Sequence, residues 1–488
     1  MRKFLAVIFS LCLFSYGYGL DFSNLEQCIE DVKQAAASPP KNEVFFTKDY
    51  NQLMKALSIP QMRETLPKVY QDTMFDPFLS YLEKIGVWGF NSIFIYQANN
   101  PQYSFYRQII PDIAEAILQS GYNYAQKASN AFQEVVNDLY KSFLSEENRV
   151  SNETGVPIKM PDKGVVPPLV KWGNPDFGPY TWPVDATSEI KVKSAVVNLP
   201  PANLQGGLLA WATLPHETVG HDILHADTGL IDELGNKVFL AVLNAFPGDY
   251  FLANYWRQCI DETASDVLGL LNAGPVAGIS LIGYFRGLTD GSLRNIGALP
   301  PTDTHPVDIL RGVIAARVIE RMSFSQAGEW SSLIRKEVNK DLDRIYLVDV
   351  EKQYYYPIDH DKAIQSAELV SDVISDTKLH SLEGHSLKEI QDWTDSDQKI
   401  VDELGMMMRK GEPLSSDYKN SGYFAVHVIA SAIQEALKAG TNVQYMFDRM
   451  IDFLAVMHAY NDVWNPSAGS VCTCECSCDC CQKCQEER

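Results

Sequence analysis

The chain has 488 residues, of which 46% are hydrophobic and 11% aromatic, with 41 Lys and Arg against 62 Asp and Glu. This composition is typical of a globular protein and excludes a largely disordered chain. The formal net charge of −21 argues against nucleic acid or an anionic membrane as the main partner, because negative charge on both sides repels.

The N-terminus has the pattern of a secretory signal peptide. Arg2 and Lys3 precede an apolar run over residues 4–14, and small residues at Gly17 and Gly19 suit cleavage after Gly19. The run is shorter than the roughly 18 to 20 residues of a membrane-spanning helix, although a short N-terminal anchor is an alternative. We therefore expect a secreted or periplasmic protein whose mature chain has no transmembrane segment.

The remaining chain is predicted to be mostly α, of the α+β class, with a small sheet whose edge strand flanks a pair of helices that carry the chemistry. Five regions are predicted: 1–19, the signal peptide; 20–150, a helical N-terminal region; 151–330, the core; 331–465, a helical C-terminal region; 466–488, a Cys-rich tail.

The predicted core region, 151–330, combines sequence patterns of strands, loops and helices. Residues 157–183 are rich in proline and aromatics, which excludes a helix there. A β-prone run over 190–198 predicts a strand, either purely structural or the edge along which a substrate binds. A Gly-rich stretch over 283–297 predicts a loop, and residues 307–322 have helical periodicity.

The predicted core region contains three histidines in a segment of only ten residues, 216–225. Such a cluster suggests a metal site. In one interpretation His216 and His221 bind the metal and Glu217 is the general base. Their five-residue spacing does not fit one face of a regular helix, so this interpretation requires a widened π turn, which Gly220 would make easier.

A second interpretation uses a regular helix. His221 and His225 are four residues apart and so share a helical face, with Asp222 in the place of the base. His225 is thus the alternative metal ligand. Spacing alone leaves both interpretations open, although Glu217 is the better-placed base in the first.

A downstream acidic pair completes the predicted site. Glu262 and Asp266 lie four residues apart, on one face of a predicted helix. Zinc accepts imidazole nitrogen and carboxylate oxygen, and two histidines with Glu262 would leave one position open for water. Asp266 could then hold a ligand histidine through its other ring nitrogen. His305 or Arg311, further along, could stabilise an oxyanion.

This combination resembles the gluzincin zinc peptidases, which pair a His-Glu helix with a downstream acidic helix. His216 to His221 is similar to the spaced motif of the dipeptidyl peptidase III family, and Glu262 with Asp266 to the second motif of that family. Thr304-His305-Pro306 with Arg311 resembles a motif of the CAAX-processing zinc proteases. The resemblance covers about a quarter of the chain, in short motifs only.

The resemblance implies a zinc peptidase-like core at 151–330. It implies Zn²⁺ held by His216, His221 and Glu262. It also implies Glu217 as the base, Asp266 as the group that holds a ligand histidine in place, and His305 as a transition-state stabiliser. We therefore expect a secreted peptidase acting on a peptide or protein substrate. A non-catalytic metal-binding protein is the alternative, and a zinc hydrolase of non-peptide esters or amides is a third possibility.

Cysteine is concentrated in the tail. Seven of the ten cysteines lie between Cys472 and Cys484, whereas Cys28 and Cys259 lie in the body. The Cys-x-Cys spacing of the tail resembles metallothionein clusters, and thiolates select soft metals such as zinc and copper(I). An oxidising compartment favours disulfides within the tail or between chains instead. The sequence leaves these two states open.

Overall fold

A computed structural model describes residues 20–41, 44, 46–144, 161–163 and 166–466. The predicted signal peptide and the Cys-rich tail lie outside the described residues. Across the described part of the chain, none of the helices combines the length and the apolar character needed to cross a membrane.

The described chain is mostly helical, which confirms the predicted fold class. The α-helices are α1 (Leu25–Ala37), α2 (Tyr50–Leu57), α3 (Pro60–Glu64), α4 (Lys68–Tyr70), α5 (Asp76–Asn91), α6 (Ser104–Gly121), α7 (Gln126–Leu144), α8 (Val184–Ser188), α9 (Leu224–Ala226), α10 (Leu230–Ala245), α11 (Tyr250–Gln258), α12 (Ile260–Ala273), α13 (Pro275–Leu288), α14 (Asp308–Glu320), α15 (Ala327–Asp341), α16 (His360–Asp376), α17 (Leu387–Ile390), α18 (Asp395–Lys410), α19 (Ala425–Ala436) and α20 (Val443–Ala459).

Other helical turns interrupt this pattern. The π-helical segments are Gln71–Phe75, Ser92–Tyr96 and His216–Ile223. The 3-10 segments are Pro101–Tyr103, Pro201–Leu204, Leu208–Thr213, His380–Leu382 and Tyr418–Ser421. The helices predicted before residue 144 are confirmed by α1 to α7, and the described part of 157–183 holds two strands and no helix, as predicted.

Six strands form two three-stranded sheets. They are β1 (Leu169–Trp172), β2 (Tyr180–Trp182), β3 (Val196–Leu199), β4 (Ile296–Ala298), β5 (Ile345–Asp349) and β6 (Tyr354–Ile358). In the first sheet β3 is central, parallel to β1 and antiparallel to β2. In the second sheet β5 is central, parallel to β4 and antiparallel to β6.

The first sheet separates two hydrophobic cores. Successive side chains of a strand point to opposite faces. On β3, Val197 and Leu199 pack into the larger core, which extends from α1 and α7 to α20. Val196 packs into a smaller core formed mainly by α2 to α6. The central strand β3 therefore contributes side chains to both cores.

Two details of the prediction are wrong. The strand predicted at 190–198 is β3, which begins at Val196 and is central, so it has no free edge for a substrate. The loop predicted at 283–297 begins only after α13 ends at Leu288. Its glycines serve close packing, because a Cβ on Gly287 would lie 2.5 Å from Val32 Cγ1.

Two strands of the second sheet, β5 and β6, lie in the region after residue 331, which was predicted to be mostly helical and also contains α16 to α20. Pro357 argues against a strand in sequence terms, because proline cannot donate to a ladder. It lies on β6, an edge strand, opposite Tyr346. Proline is tolerated at such an edge.

Cys28 and Cys259 are the cysteines within the described residues, and both are buried and unpaired. Burial raises the pKa of the Cys28 thiol to about 12. The described body is thus stabilised by packing rather than by disulfides, as expected.

A buried charge network attaches α6 to the first sheet. Lys171 of β1 is 1% exposed in its side chain and pairs with Asp112 and Glu115 of α6. Asp112 Oδ2 also accepts hydrogen bonds from Tyr180 Oη at 2.9 Å and from Trp182 Nε1 at 2.6 Å, both on β2. One carboxylate therefore fixes both edge strands of the sheet against the helix.

We expect Asp112→Ala to lower the free energy of unfolding by about 3 kcal/mol, because it leaves a buried ammonium with one partner and two donors with none. Chemical denaturation measures this change. Asp76→Ala is the control: Asp76 pairs with Arg63 at a half-exposed position and should cost less than about 1 kcal/mol. Equal effects of the two variants would contradict a structural role for the network.

Candidate metal centre

The segment His216–Ile223 is a π-helix. A π-helix bonds residue i to i+5, so residues five apart come to the same side, which a regular α-helix does not allow. The rings of His216 and His221 accordingly lie 4.7 Å apart, centre to centre, at an interplanar angle of 84°. Their Nε2 atoms are 3.1 Å apart. The widened turn required by the five-residue spacing is present.

Helix α12 packs directly on this π-helix, and two glycines permit the close approach. A Cβ on Gly220 would lie 2.4 Å from Ser265 Cβ. A Cβ on Gly269 would lie 3.1 Å from the backbone nitrogen of His216. The contact places the acidic face of α12, with Glu262 and Asp266, against the two histidines.

His216, His221 and Glu262 form a cluster that could hold a metal ion. Glu262 Oε2 lies 3.4 Å from His216 Nε2 and 3.6 Å from His221 Nε2. Ligand atoms bound to one tetrahedral ion at about 2.0–2.1 Å lie about 3.3–3.4 Å apart. The three separations, 3.1, 3.4 and 3.6 Å, match that triangle.

The surroundings of Glu262 also fit a metal. Its Oε2 is buried and makes no hydrogen bond within the described structure. A buried carboxylate oxygen without a partner is costly, and a metal ion would satisfy it. The side chains of His216, His221 and Glu262 are 12%, 15% and 10% exposed, so the cluster is shielded but reachable.

Each histidine of the cluster has a carboxylate at its other nitrogen. His216 Nδ1 lies 2.9 Å from Asp266 Oδ1, the pair of groups predicted to meet, although the two are not aligned as a hydrogen bond. His221 Nδ1 lies 3.4 Å from Asp261 Oδ1. Such carboxylates fix ring orientation and tautomer and leave Nε2 free for a metal. The sequence analysis did not assign this role to Asp261, although it directly precedes Glu262.

Asp266 is itself held by a buried arginine. Arg311 donates to both Asp266 oxygens, from Nε and Nη2, at 2.7 Å each. Burial would raise the pKa of Asp266, but the Arg311 guanidinium and the His216 ring lower it to about 2. The carboxylate is therefore ionised. Two donors of Arg311 are occupied by Asp266, so this arginine orients a carboxylate in addition to lining the cavity.

The alternative ligand His225 lies outside the cluster. Its Nδ1 contacts Asp185 at 3.1 Å and its Nε2 contacts Asp261 at 3.0 Å, so both ring nitrogens are occupied. Burial lowers the pKa of His225, but these two carboxylates raise it to about 9. Asp222, the base of that alternative, is buried and accepts a hydrogen bond from the Val184 backbone. The structure thus does not bring His225 and Asp222 together with Glu262.

Glu217 lies in the same cavity as His216. This cavity, of about 210 Å³, is lined by His216, Glu217, Asp266, His305 and Arg311 together with apolar side chains. Thr181 Oγ1 of β2 lies 2.8 Å from Glu217 Oε2 and 3.0 Å from the Glu217 carbonyl oxygen. The two acceptors share the one hydroxyl proton that Thr181 can donate. The edge strand β2 thus orients the predicted base, a contact no sequence spacing indicated.

His305 lies at the open side of the cluster. Its Nε2 is 3.3 Å from Glu262 Oε2 and its Nδ1 is 2.7 Å from Asp303 Oδ1. Its side chain is 48% exposed, unlike the other members of the site. Among the predicted site residues, His216, Glu217, Asp266, His305 and Arg311 line the cavity, and His221 and Glu262 contact His216. His225 and Asp222 do not line it.

No family model, no curated protein and no solved structure matches the chain. The resemblance to gluzincin peptidases stays a prediction. Function is inferred below from the chemistry of the cluster and its cavity.

We expect His216→Ala and His221→Ala each to lose about one metal ion per chain relative to the parent, because each removes one ligand. Elemental analysis of the full chain measures this, since any metal held by the tail is common to all proteins and cancels in the difference. His225→Ala is the control and should keep the parent content. Loss of metal in His225→Ala alone would reverse the ligand assignment.

We expect Asp266→Asn to weaken metal binding by about tenfold to a hundredfold, because the partner of His216 Nδ1 loses its charge. Competition with a chromogenic chelator measures the affinity. Asp308→Asn is the matched control, since Asp308 is equally buried and pairs with Arg294, not with a histidine. An unchanged affinity in Asp266→Asn would remove Asp266 from the metal site.

Proposed function

We propose that this protein is a zinc-dependent peptidase, with His216, His221 and Glu262 as the zinc ligands. The observation that carries the proposal is the convergence of these three ligand atoms beside the carboxylate of Glu217, which is not one of the ligands. Two histidines and one glutamate form a known ligand set of catalytic zinc and leave one position open. A storage site would have no need of Glu217.

The donor set supports zinc. Imidazole nitrogen suits zinc, whereas carboxylate, carbonyl and water oxygens suit magnesium, calcium and manganese. Two of the three candidate ligands are imidazoles. Zinc prefers tetrahedral coordination by nitrogen and oxygen.

A zinc ion in such a site acts as a Lewis acid and lowers the pKa of water to about 7. The remaining steps belong to the chain. Glu217, oriented by Thr181, accepts the proton of the attacking water on its carboxylate and passes it to the leaving amine. His305, half-exposed at the open side of the cluster, donates a hydrogen bond to the developing oxyanion.

Asp266 and Arg311 serve this chemistry through His216. Their bidentate pair is buried and fixes the ring on which the ligand nitrogen lies. Arg311 also lines the cavity, so a direct contact with substrate stays a prediction for this residue.

The edge strand β2 suits an extended substrate. Among the described residues β2 is hydrogen-bonded to β3 and to no second strand, and an edge strand can accept a peptide as an added strand. Thr181, in the middle of β2, contacts Glu217. A peptide along this edge would pass the proposed base. We also propose that the protein is exported, on the strength of its N-terminal sequence pattern.

We expect Glu217→Gln to retain the metal and to lower peptide hydrolysis by about a hundredfold to ten-thousandfold, because the amide cannot accept the proton. Cleavage of a mixed peptide library, with and without a chelator, measures the activity. Glu233→Gln is the control and should cleave as the parent does. The Glu233 carboxylate accepts hydrogen bonds from the backbone nitrogens of His380 and Ser381 and does not line the cavity.

Full, chelator-sensitive activity in Glu217→Gln would eliminate Glu217 as the base. A parent that binds its metal and cleaves no peptide would instead favour the non-catalytic metal-binding alternative. Hydrolysis of esters but not of peptides would favour the third possibility.

A further inference from the structure

The cavity beside the candidate metal centre continues into an apolar wall. That part of the wall comes from the 3-10 segment Leu208–Thr213 and from α12, α13 and α14. Its apolar members include Ala212, Leu270, Ala277, Leu281, Phe285 and Ala315. The wall adjoins His216 and Glu217, so a group bound against it lies next to the proposed reacting centre.

The two arginines that line this cavity are each paired with a carboxylate of the protein. Arg294 forms a bidentate pair with Asp308, at 2.7 and 2.8 Å. Arg311 forms the buried bidentate pair with Asp266, and its guanidinium lies 4.8 Å above the centre of the Phe285 ring. A ligand carboxylate bound against the apolar wall would therefore lose its hydration without gaining a cation of its own, which disfavours acidic side chains there.

The size of the cavity suits a large side chain. An apolar cavity of about 150 Å³ is sufficient to bind a benzene ring. The present cavity is about 210 Å³. A small side chain such as that of glycine or alanine would leave most of this space without contacts, whereas a phenyl ring or a leucine side chain would bury its apolar surface there.

We infer that this cavity is the specificity subsite of the proposed peptidase and takes a large uncharged apolar side chain, aromatic or long aliphatic, next to the scissile bond. The inference rests on the proposed function. It names the substrate class: peptides with such a residue at the cleaved bond, with Asp and Glu disfavoured at that position.

Binding of small amides tests the subsite without catalysis. The probes are N-acetyl-phenylalanine amide, N-acetyl-glycine amide and N-acetyl-aspartate amide, titrated by NMR into the full-length Glu217→Gln protein with and without zinc. We expect the phenylalanine amide to bind about tenfold tighter or more than the other two, in both metal states, because its ring buries apolar surface.

Two tryptophan variants separate the cavity from the rest of the surface. Leu281→Trp fills the cavity and should abolish the preference for the phenylalanine amide. Leu240→Trp is the matched control, since Leu240 is exposed on α10 and does not line the cavity; it should keep the preference. Equal binding of the three amides, or a preference that survives Leu281→Trp, would overturn the inference.

Hydrolysis of the peptide library distinguishes this failure from failure of the proposed function. Chelator-sensitive cleavage without a preference for large apolar residues overturns the subsite alone. Selective binding of the phenylalanine amide without any hydrolysis contradicts the peptidase proposal and leaves an apolar binding site beside the cluster.

Discussion

The candidate site depends on the pitch of one short segment, His216–Ile223. In a regular α-helix, side chains five residues apart point in different directions. The π-helical turns bring the two imidazoles together, with their Nε2 atoms 3.1 Å apart. The same segment must also touch α12, and it does so through Gly220, where any larger side chain would collide with Ser265. Glycine at position 220 makes the π-helical distortion easier, and its close contact with α12 is a second reason for a glycine there.

Charge compensation is the second constraint on the site. Burial raises the pKa of the Glu262 carboxyl, but His221 and His216 lower it well below its usual value. Asp266 is ionised for a similar reason, with Arg311 as its principal cation. Ionised carboxylates are costly in a shielded site unless each has a cationic partner. Asp266 has its guanidinium, while Glu262 has only imidazoles in imperfect geometry. Glu262, which has no guanidinium partner, is thus the carboxylate in a position to bind a metal. Asp266, which is paired with Arg311, lies against the candidate ligand His216.

Local patterns predicted what depends on local chemistry. The helices before residue 144 and the extended segment with β1 and β2 follow from periodicity and proline content. The ligand cluster is one of the two that the spacing of the histidines left open. The failures come from tertiary contacts. The glycines after residue 283 indicated a loop, yet they lie in α13 because α1 packs so close to it. Asp261 and Thr181 reach the site across the fold, from α12 and from β2, and no spacing in the sequence relates Thr181 to Glu217.

The position of the proposed base is set by residues far from the metal cluster. Thr181 orients Glu217, and Thr181 lies on β2, a strand of only three residues with one neighbour. So short a strand is weakly held by its ladder alone. The side chains on either side of Thr181, Tyr180 and Trp182, are both hydrogen-bonded to Asp112 on α6. The buried network between the two cores therefore holds the strand, the strand holds the threonine, and the threonine orients the carboxylate. The site is open to solvent at the half-exposed His305. The proposed base Glu217 can nevertheless be held in place, because the hydrogen bonds of Asp112 to Tyr180 and Trp182 fix the strand that carries Thr181.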